Sequence, residues 1–590
     1  MSKVHILSPE VISKIAAGEV IDRPASVVKE LIENALDAKA TSVELHLKNA
    51  GRTSLVIKDN GSGIDEDDLE KIFLRHSTSK IQSSDDLLSI HSLGFRGEAL
   101  YSLAAISDVV LRSKTPSQNN GWEIHMRGGA KVNLKPAAAT QGTEIEVKEL
   151  FFNTPARKKF LKSNTTEINQ ILNTFVPYTL LHYTCRFLLI HQGKKVIDLA
   201  PAGNLKQRLC DALNLESKYL LEAEQDFTRK GVNVHMILGD INIKRTRRDL
   251  QFLFVNGRPV QNKAISFHLN QIYRLIMARD EFPFFAVYVN MPAKDLDVNI
   301  HPTKREVKIK YEMEICSYLR SMCEQTLMQS GQTRQVQASG NAASEVQTAF
   351  ARTNRQETFF DHRESGAQES SAGYASQYAF PRAESGSMFI PLENLFTQPK
   401  ENLQEKFKDA RYIGAFINKF LIFESGSSLL LVDQHAAQER IAYEQFILQM
   451  ERGKLEIQPL LSPILMKLTH QEMFVWQEAE EKLKEIGFDT NQFDESTIAI
   501  QSYPVLFNKP EKAVSYLLAG ENINSCTHDA IARRACRSSI MTGDKLSKEQ
   551  AEYQRQQLIK CMDPFTCPHG RPTVIEMKEE FLDKQFMRTK

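Results

Sequence analysis

Three polar residues near the start of the chain have the types and the spacing that hydrolysis of a phosphate ester or anhydride requires. Glu30, Asn34 and Asp37 stand at i, i+4 and i+7, which places them on one face of a helix. Glu30 could take a proton from an attacking water. The amide oxygen of Asn34 could bind a Mg²⁺ ion that bridges phosphates. Taken alone, the helix fits a solvated polar face better.

A glycine-rich break follows the next strand that the sequence predicts. Ser54 to Ile57 indicates a strand, and Asp59-Asn60-Gly61-Ser62-Gly63 ends it. Gly61 and Gly63 would let the backbone approach a ligand closely. Asp59, at the strand end, could accept a hydrogen bond from an exocyclic amine such as that of adenine. Ordinary turns use the same residues, so this break supports a nucleotide pocket only together with the helix before it.

Two further segments offer groups that bind phosphate. The first is a polar loop with two hydroxyls and a cation, and the second precedes a helix that we predict to begin near Glu98. Backbone amides at such a junction attract phosphate, as does the helix dipole. Neither segment has the GxxxxGK[ST] pattern of a Walker A loop. The residues that we assign to the nucleotide here are Thr78, Ser79, Lys80, Gly94, Phe95, Arg96 and Gly97.

The elements that must position these groups can be read from the periodicity of apolar residues. Residues 25–38 have an apolar stripe at helical spacing, and Pro24 suits the first helical position. Strands are indicated at Ser107–Arg112 and Thr143–Val147. The first 200 residues therefore predict one unit of mixed helices and strands.

Six segments, in this order, resemble the GHKL ATPases and, more narrowly, the MutL family of DNA mismatch-repair ATPases. They are IAAGEV at 15–20, RPASVVKELIENALDA at 23–38, DNGSGI at 59–64, RHSTSK at 75–80, SLGFRGEAL at 92–100 and LFFNTPARKKFLK at 150–162. The resemblance implies a Bergerat-type ATPase fold that binds ATP and Mg²⁺. It also implies that Glu30 is the general base, Asn34 the Mg²⁺ ligand and Asp59 the adenine contact. Gly94–Gly97 would belong to a lid over ATP, and Thr143 would be a further nucleotide contact.

Length, charge and cysteine usage limit the class of protein. A chain of 590 residues is too long for one core, so several domains are expected. The net charge of +1 gives no global nucleic-acid signature, and DNA binding would need local basic patches. The eight cysteines are scattered, which favours a reducing compartment. With no signal-length apolar run and no bilayer-length run, we expect a cytoplasmic protein, associated with the nucleoid when acting, and no membrane partner.

Residues 201–328 predict a second α/β unit, and the resemblance implies a transducer domain of ribosomal-protein-S5-like type. A basic turn with Arg245, Arg247 and Arg248 precedes the strand Phe252–Val255, which leads into an Asn256-Gly257 hairpin signal. Guanidinium groups at this density suit phosphate contact, and a solvated loop suits them almost as well. The resemblance favours double-stranded DNA, bound without regard to sequence.

Lys304 lies in the stretch Asn299-Ile300-His301-Pro302-Thr303-Lys304. Alone it would be a surface lysine. The stretch resembles the NxHPxK element of the family, which implies that Lys304 reaches the γ-phosphate from the second domain. Residues 312–328 then predict a closing helix.

The composition changes twice in the second half of the chain. Residues 329–402 are rich in Ser, Gln, Ala and Gly, which predicts a disordered tether. From 403 to 590 we expect a C-terminal α/β domain, with strands at 420–423 and 429–432 and a polar helix over 576–590. The whole chain is thus predicted to be a multidomain α+β and α/β protein.

A cluster of metal-ligating residue types marks this C-terminal part. Asp433 closes a strand, and His435 and Glu439 lie one helical turn apart. Cys536 follows two arginines, and Cys567 and His569 form a Cys-x-His pair. Oxygen, nitrogen and sulfur ligands of these types suit a divalent metal. Spacing alone does not bring them together, so a surface helix contact and a buried structural zinc both remain open.

DQHAAQERIAYE at 433–444, ACR at 535–537 and CPHGRP at 567–572 resemble the endonuclease branch of the MutL family. The resemblance implies a metal-dependent DNA-nicking site with Asp433 as a catalytic residue and Glu444 as a supporting carboxylate. The implied metal ligands are Asp433, His435, Glu439, Cys536, Cys567 and His569. Mn²⁺ would be the activating metal and Zn²⁺ structural or regulatory. The implied partners are a second copy of the chain and MutS. The alternative is an ATPase scaffold with structural zinc and no nuclease.

Gln458-Pro459-Leu460-Leu461-Ser462-Pro463 fits the Q-x-x-L-x-P form of peptides that bind the DNA polymerase sliding clamp. Gln458, Leu461 and Pro463 would make that contact. Such short patterns also arise by chance, and Pro459 lacks a backbone donor.

Overall fold

The computed structural model describes residues 17–18, 20–79, 97–227, 231–277, 281–297, 307–335, 405–519, 523–536, 546–586 and 588. They form two compact units. The first unit holds the described residues of Met1–Gln347, Pro459–Ser502 and Ser515–Cys526, and the second holds those of Thr348–Gln458, Tyr503–Val514 and Thr527–Lys590. The tether from 336 to 404 lies outside the described residues.

The first unit is built on an eight-stranded sheet with the order β5-β4-β3-β6-β2-β1-β7-β8. Strand β1 alternates in burial, with Val43, Leu45 and Leu47 inward, as a half-buried strand requires. It pairs antiparallel with β2 and parallel with β7. The strands are β1 (Ser42–Lys48), β2 (Ser54–Asp59), β3 (Asp108–Lys114), β4 (Gly121–Arg127), β5 (Ala130–Ala137), β6 (Gly142–Lys148), β7 (Arg186–His191) and β8 (Lys194–Leu199).

Two helices form the apolar layer on this sheet. Helix α1 begins at Pro24, as predicted, and buries Val28, Leu31 and Ile32. It packs against α5, whose first turn is capped by the Ser163 side chain accepting from the Thr166 N–H. The helices up to β9 are α1 (Pro24–Asp37), α2 (Glu66–Leu69), α3 (Ala99–Ile106), α4 (Pro155–Phe160), α5 (Asn164–Leu181) and α6 (Leu205–Leu213).

A five-stranded sheet of order β12-β11-β13-β10-β9 follows in the same unit. The predicted hairpin is present, since Asn256 and Gly257 have positive φ between β11 and β12. The elements are β9 (Leu220–Phe227), β10 (Val232–Gly239), β11 (Gln251–Val255), β12 (Arg258–Val260), α7 (Lys263–Tyr273), β13 (Phe285–Asn290), β14 (Leu296–Asp297), β15 (Lys308–Ile309) and α8 (Glu312–Gln335). Helix α8 continues into residues that composition assigned to the tether, because Gln and Arg are good helix formers.

A three-stranded sheet of order β19-β21-β20 carries helix α10. A capping box between Thr469 and Glu472 starts the helix. The Trp476 indole donates to the Thr490 hydroxyl at 2.9 Å, which fixes α10 on β20. The elements are β19 (Ile457–Lys467), α10 (His470–Glu485), β20 (Asp489–Gln492), β21 (Thr497–Pro504) and α11 (Pro510–Leu518).

The second unit contains a four-stranded antiparallel sheet of order β16-β17-β18-β22. Its core joins Phe407, Phe423 and Leu430 to Ile441 of helix α9. The elements are β16 (Arg411–Phe416), β17 (Phe420–Ser425), β18 (Ser428–Asp433), α9 (Gln434–Glu451), α12 (His528–Ala535), α13 (Lys548–Ile559), β22 (Val574–Lys578) and α14 (Glu579–Gln585). The predicted helix over 576–590 was wrong at its start, because residues 576–578 complete a strand paired with β18.

The multidomain α/β class predicted from the sequence is confirmed. Within the part of the chain that the structure describes, no helix combines the length and the apolar character needed to cross a membrane.

Candidate functional site

Helix α1 presents the predicted base in a partly accessible setting. The Glu30 side chain is 21% exposed, and the Lys29 ammonium lies 3.3 Å from its Oε1. The same ammonium lies 3.5 Å from Glu33. Asn34 and Asp37 are half-buried on the same helix. Glu30 therefore combines access to water with a neighbouring cation.

Glu33, which was not predicted as a site residue, anchors α1 to helix α5. The Tyr178 hydroxyl of α5 donates to Glu33 Oε1 at 2.6 Å, and both side chains are buried. Burial raises the pKa of Tyr178 well above its usual value, and the Glu33 carboxylate raises it further. Tyr178 therefore stays protonated and remains a donor. Its partner is 145 residues away along the chain, so local sequence could not reveal the pair.

We expect Tyr178→Phe to lower the free energy of unfolding of the first unit by about 1–3 kcal/mol, because the buried Glu33 oxygen loses its donor. Thermal denaturation would measure this free energy, read from the unfolding transition whose midpoint shifts when ATP is added. Tyr183→Phe is the matched control, since Tyr183 is only half-buried, and should change the free energy by less than about 0.5 kcal/mol. Equal losses in the two variants would contradict the assignment.

Asp59 closes strand β2 beneath this helix. It pairs in register with Thr143 of β6, and the Gly61 N–H donates to Asp59 Oδ1 at 2.8 Å. Burial raises the pKa of Asp59 to about 6, against the opposing effect of hydrogen bonds from the Gly61 and Thr143 backbones. Burying the charged form of a carboxylate is costly. A ligand that donates a hydrogen bond to Asp59 would stabilise that charged form, so Asp59 is suited to such a ligand.

Gly63 is required by the protein backbone as well as by any ligand. Its φ is +72°, and a Cβ at this position would lie 2.3 Å from the Lys114 carbonyl oxygen. Only glycine fits there without movement of the end of β3. The sequence predicted that the backbone of this turn would approach a ligand closely. In the structure, part of that close approach is to the end of strand β3.

Ser113 joins the strands around Asp59, and the sequence analysis missed it. Its buried hydroxyl donates to the Gly142 carbonyl at 2.9 Å and lies 3.1 Å from the Thr143 hydroxyl. It also accepts from the Ile64 N–H at 2.8 Å. The signal was available, because Ser113 is in phase with the buried Val109 and Leu111 of β3. A polar residue in the buried phase of a strand needs partners.

The two predicted phosphate segments meet at their described ends. Gly97 has φ +61°, and a Cβ there would lie 2.5 Å from the Ser77 carbonyl oxygen. The Glu98 carboxylate lies 3.2 Å from His76 Nδ1, which ties the loop to the start of α3. Thr78 and Ser79 are exposed. The remaining predicted contacts lie outside the described residues, namely Lys80, Gly94, Phe95, Arg96 and Lys304.

In the second unit, three predicted metal ligands come together. Ligand atoms of Glu439, Cys567 and His569 all lie within 4.8 Å of one another. Glu439 comes from the second turn of α9, and the other two come from the loop before β22. His569 Nδ1 is 3.3 Å from Glu439 Oε2, across 130 residues of sequence. A carboxylate, a thiol and an imidazole form a donor set that zinc accepts.

His435 borders this group, and Asp433 supports it. His435 Nε2 lies 3.3 Å from Glu439 Oε1, whereas its Nδ1 is buried with no hydrogen-bond partner among the described residues. Asp433 caps α9, accepting from the N–H groups of His435 and Ala436 at 3.0 and 3.1 Å. The cap fixes the first turn of the helix. The side chain of His435 is therefore oriented, and one of its ring nitrogens is left for a further bond.

The charges in this group favour an ionised carboxylate. Burial alone would raise the pKa of Glu439, but hydrogen bonds and positive charge from His435 and His569 outweigh it and lower the pKa to about 2. The hydrogen bond that His435 donates to Glu439 raises the pKa of His435, although burial opposes the charged form of His435. Glu439 is thus an acceptor throughout the physiological pH range.

The other predicted C-terminal residues lie outside this three-residue group. Cys536 is buried at the end of α12. Glu444 accepts from the Met562 and Asp563 N–H groups at 2.6 and 3.2 Å, so it holds the loop that leads to Cys567. The residues proposed to bind a clamp, Gln458, Leu461 and Pro463, are exposed on β19.

Family models match three parts of the chain. The model "Histidine kinase-, DNA gyrase B-, and HSP90-like ATPase" matches residues 22–150. The model "DNA mismatch repair protein, C-terminal domain" matches residues 216–328. The model "MutL C terminal dimerisation domain" matches residues 413–546. The first match covers Glu30, Asp59 and Thr143, and the third covers Asp433, His435 and Glu439.

Curated relatives match the chain from end to end. The DNA mismatch repair protein MutL of Endomicrobium trichonymphae is 34% identical over 605 residues, which cover 99% of this chain and 100% of that protein. The MutL of Clostridium tetani is 32% identical over 644 residues, with 100% of both chains covered. The solved Aquifex aeolicus MutL ATPase domain complexed with ADP is 27% identical, covers 52% of this chain and 98% of that chain, and has a TM-score of 0.39.

Proposed function

Because the chain belongs to the MutL family of DNA mismatch repair proteins, we propose that it couples ATP hydrolysis to metal-dependent nicking of DNA. The observation that carries the nicking half is the meeting of Glu439, Cys567 and His569 beside the capped helix α9. A surface contact alone would not require residues this far apart in sequence to lie together. Their types are those that hold a divalent metal.

In the ATP half, every role but that of Lys304, which belongs to the second domain, falls to a residue of the N-terminal GHKL ATPase domain. Glu30 takes the proton of the attacking water, and Asn34 and Asp37 face Mg²⁺ and its waters. Asp59 accepts from the adenine amine, with Gly61, Gly63 and Thr143 around it. Thr78, Ser79, Lys80 and the lid residues Gly94–Gly97 contact the phosphates, and Lys304 reaches the γ-phosphate. The accessible, cation-paired carboxylate of Glu30 supports this assignment.

In the nicking half, the residues present fit a metal. The unpartnered, buried Nδ1 of His435 supports a further bond at this position. Glu439, Cys567, His569 and His435 would hold the ion, with Asp433 and Cys536 completing the set. A bound Mn²⁺ would activate water and stabilise the leaving oxygen, and thiolate ligands favour Zn²⁺ in a structural or regulatory place. Asp433 orients the first turn of α9, and the histidines keep Glu439 ionised.

The proposed partners follow from the same family. Two copies pair through the C-terminal dimerisation domain, where β16 and the turn after it expose Ile413, Phe416 and Ile417. MutS recruits the dimer to DNA, and the sliding clamp docks on Gln458, Leu461 and Pro463. All three clamp-contact residues are exposed, which supports that docking.

Nicking of supercoiled plasmid in Mn²⁺ tests the proposal. Wild-type protein should give relaxed circles, and Asp433→Asn should lower the rate by about tenfold or more, as loss of a supporting group at a metal site does. Asp409→Asn is the control, because Asp409 is an exposed carboxylate in the second unit that stands before β16. Both variants should retain wild-type ATPase activity.

A zinc-bound scaffold that cuts nothing is the second candidate, and the buried thiol of Cys567 in the group favours it. Stoichiometric zinc in purified protein, with no nicking in Mn²⁺ even with ATP and a loaded clamp, would establish the scaffold. That outcome would leave the ATPase assignment unchanged.

A further inference from the structure

Arg245, the first arginine of the basic turn, is already paired in the structure. Its guanidinium lies 3.3 Å from Asp249 and forms an ion pair with Glu472 of helix α10. Both members of the Arg245–Glu472 pair are only 15% exposed. Burial alone would raise the pKa of Glu472, but Arg245 and hydrogen bonds from Thr469 lower it. An arginine expected to meet phosphate is thus neutralised by two carboxylates of its own chain.

The Arg245–Glu472 pair belongs to a larger contact inside the first unit. The Thr246 and Ser515 hydroxyls are 2.8 Å apart, and Asn214 donates to the Leu468 carbonyl at 2.6 Å. Lys467 pairs with Glu216 at 2.7 Å. The contact also includes the Phe474 ring, which packs edge-on against His191 with ring centroids 5.3 Å apart. Contacts between parts of a chain that are partly polar in this way are typical of surfaces that separate.

The contact also encloses cations. A cavity of about 680 Å³ opens between the basic turn, helix α5 and the start of α10. Lys29, Arg247 and Arg248 line it on one side, and His470 and Glu472 line it on the other. A negatively charged backbone would find Arg247 and Arg248 here once α10 moved away, whereas Lys29 is already paired with Glu30 and Glu33.

We propose that the segment formed by residues 459–502 and 515–526 is a removable cover, and that Glu472 and a DNA backbone compete for Arg245. The competition rests on the DNA binding in the proposed function. The chemistry of the exchange is simple, because a carboxylate and a phosphate oxygen make the same charge-assisted bonds to a guanidinium. The covered state binds DNA weakly, and the open state adds Arg245 to Arg247 and Arg248, which are already exposed.

Glu472→Gln removes the competing charge without disturbing the helix start. Glutamine at this position preserves the capping box with Thr469. In the full-length protein, anisotropy of a labelled 40-base-pair duplex should show binding at least threefold tighter at low salt. The slope of log K against log salt should steepen by about one, since one more phosphate is contacted. Glu480→Gln, an exposed change of the same charge on the same helix, should change neither quantity.

A reversible lock tests the cover itself. Thr246→Cys combined with Ser515→Cys places two thiols where hydroxyls now lie 2.8 Å apart, and oxidation should join them. The oxidised protein should bind the duplex at least threefold more weakly than the reduced one. Failure of the disulfide to form would overturn the docking, and equal affinity in both states would overturn the competition. Both experiments measure DNA binding and neither measures nicking or ATPase activity. Loss of either activity would therefore count against the proposed function and not against the cover.

Discussion

Glu30→Ala should lower the turnover number for ATP by about 100- to 10,000-fold, the usual effect of removing a positioned general base. The dissociation constant for nucleotide should stay within about threefold of the wild-type value. The reason is geometric, since Glu30 is a partly exposed carboxylate that lies 3.3 Å from the Lys29 ammonium. Its loss removes a proton acceptor and leaves the buried Glu33–Tyr178 bond in place.

The experiment pairs a steady-state phosphate-release assay with equilibrium binding of a fluorescent ATP analogue. Glu30→Gln keeps the shape and loses the base, so it should match Glu30→Ala in turnover. Glu70→Ala, which removes an exposed carboxylate paired with Lys131, should retain wild-type turnover. If Glu30→Ala lost nucleotide binding along with turnover, Glu30 would be a structural residue.

Asp59→Asn should weaken nucleotide binding by about 100-fold, the value of a charged acceptor replaced in a buried site. The wild-type pKa of about 6 adds a pH dependence. As the pH falls through about 6, Asp59 becomes protonated and loses the negative charge that strengthens its hydrogen bond to the ligand, so wild-type affinity should fall. Asp59→Asn should lack that component, and isothermal titration at several pH values would measure both.

The same raised pKa of Asp59 predicts that the folded protein becomes less stable as the pH rises, whereas its affinity for nucleotide increases. In the folded protein the pKa is about 6, and in the unfolded chain it is near the ordinary value of 3.8. The unfolded state therefore releases its proton first, and the free energy of unfolding falls as the pH rises from about 4 to 6. The loss is about 3 kcal/mol at most. Nucleotide-free Asp59→Asn should unfold at a higher temperature than wild type at pH 8. Asp67→Asn, an exposed control, should not.

Local signals in the sequence were enough for the elements that carry the site. Pro24 and the apolar stripe marked α1, and the Asn256-Gly257 signal marked the β11–β12 hairpin. These features work because capping, positive φ and side-chain periodicity act within a few residues. The residue types at Glu30 and Asp59 were also sufficient to propose a nucleotide pocket.

Long-range partners were beyond these signals. Residues 576–578 were predicted to begin a polar helix, yet these residues complete β22 because β18 offers them an edge. Likewise, the composition around Arg245 indicated either a solvated loop or a phosphate contact, and the partner on α10 could not be found from spacing. Nor could spacing show that Glu439 approaches Cys567 and His569 while Cys536 lies outside that group. Such pairings depend on the packing of whole elements, which short-range patterns do not encode.

The parallel pairing of β1 with β7 has a consequence for how the protein is made. The strands join residues such as Ser42 and Arg186, and the Glu33–Tyr178 bond spans 145 residues. At about 5–20 residues per second, a ribosome needs roughly 10 s to make the intervening chain. Until then β1 lacks its parallel neighbour β7, and α1 lacks its buried tyrosine. The nucleotide pocket is therefore a late product of synthesis, and the nascent chain passes through a stage in which the apolar face of α1 needs protection from aggregation.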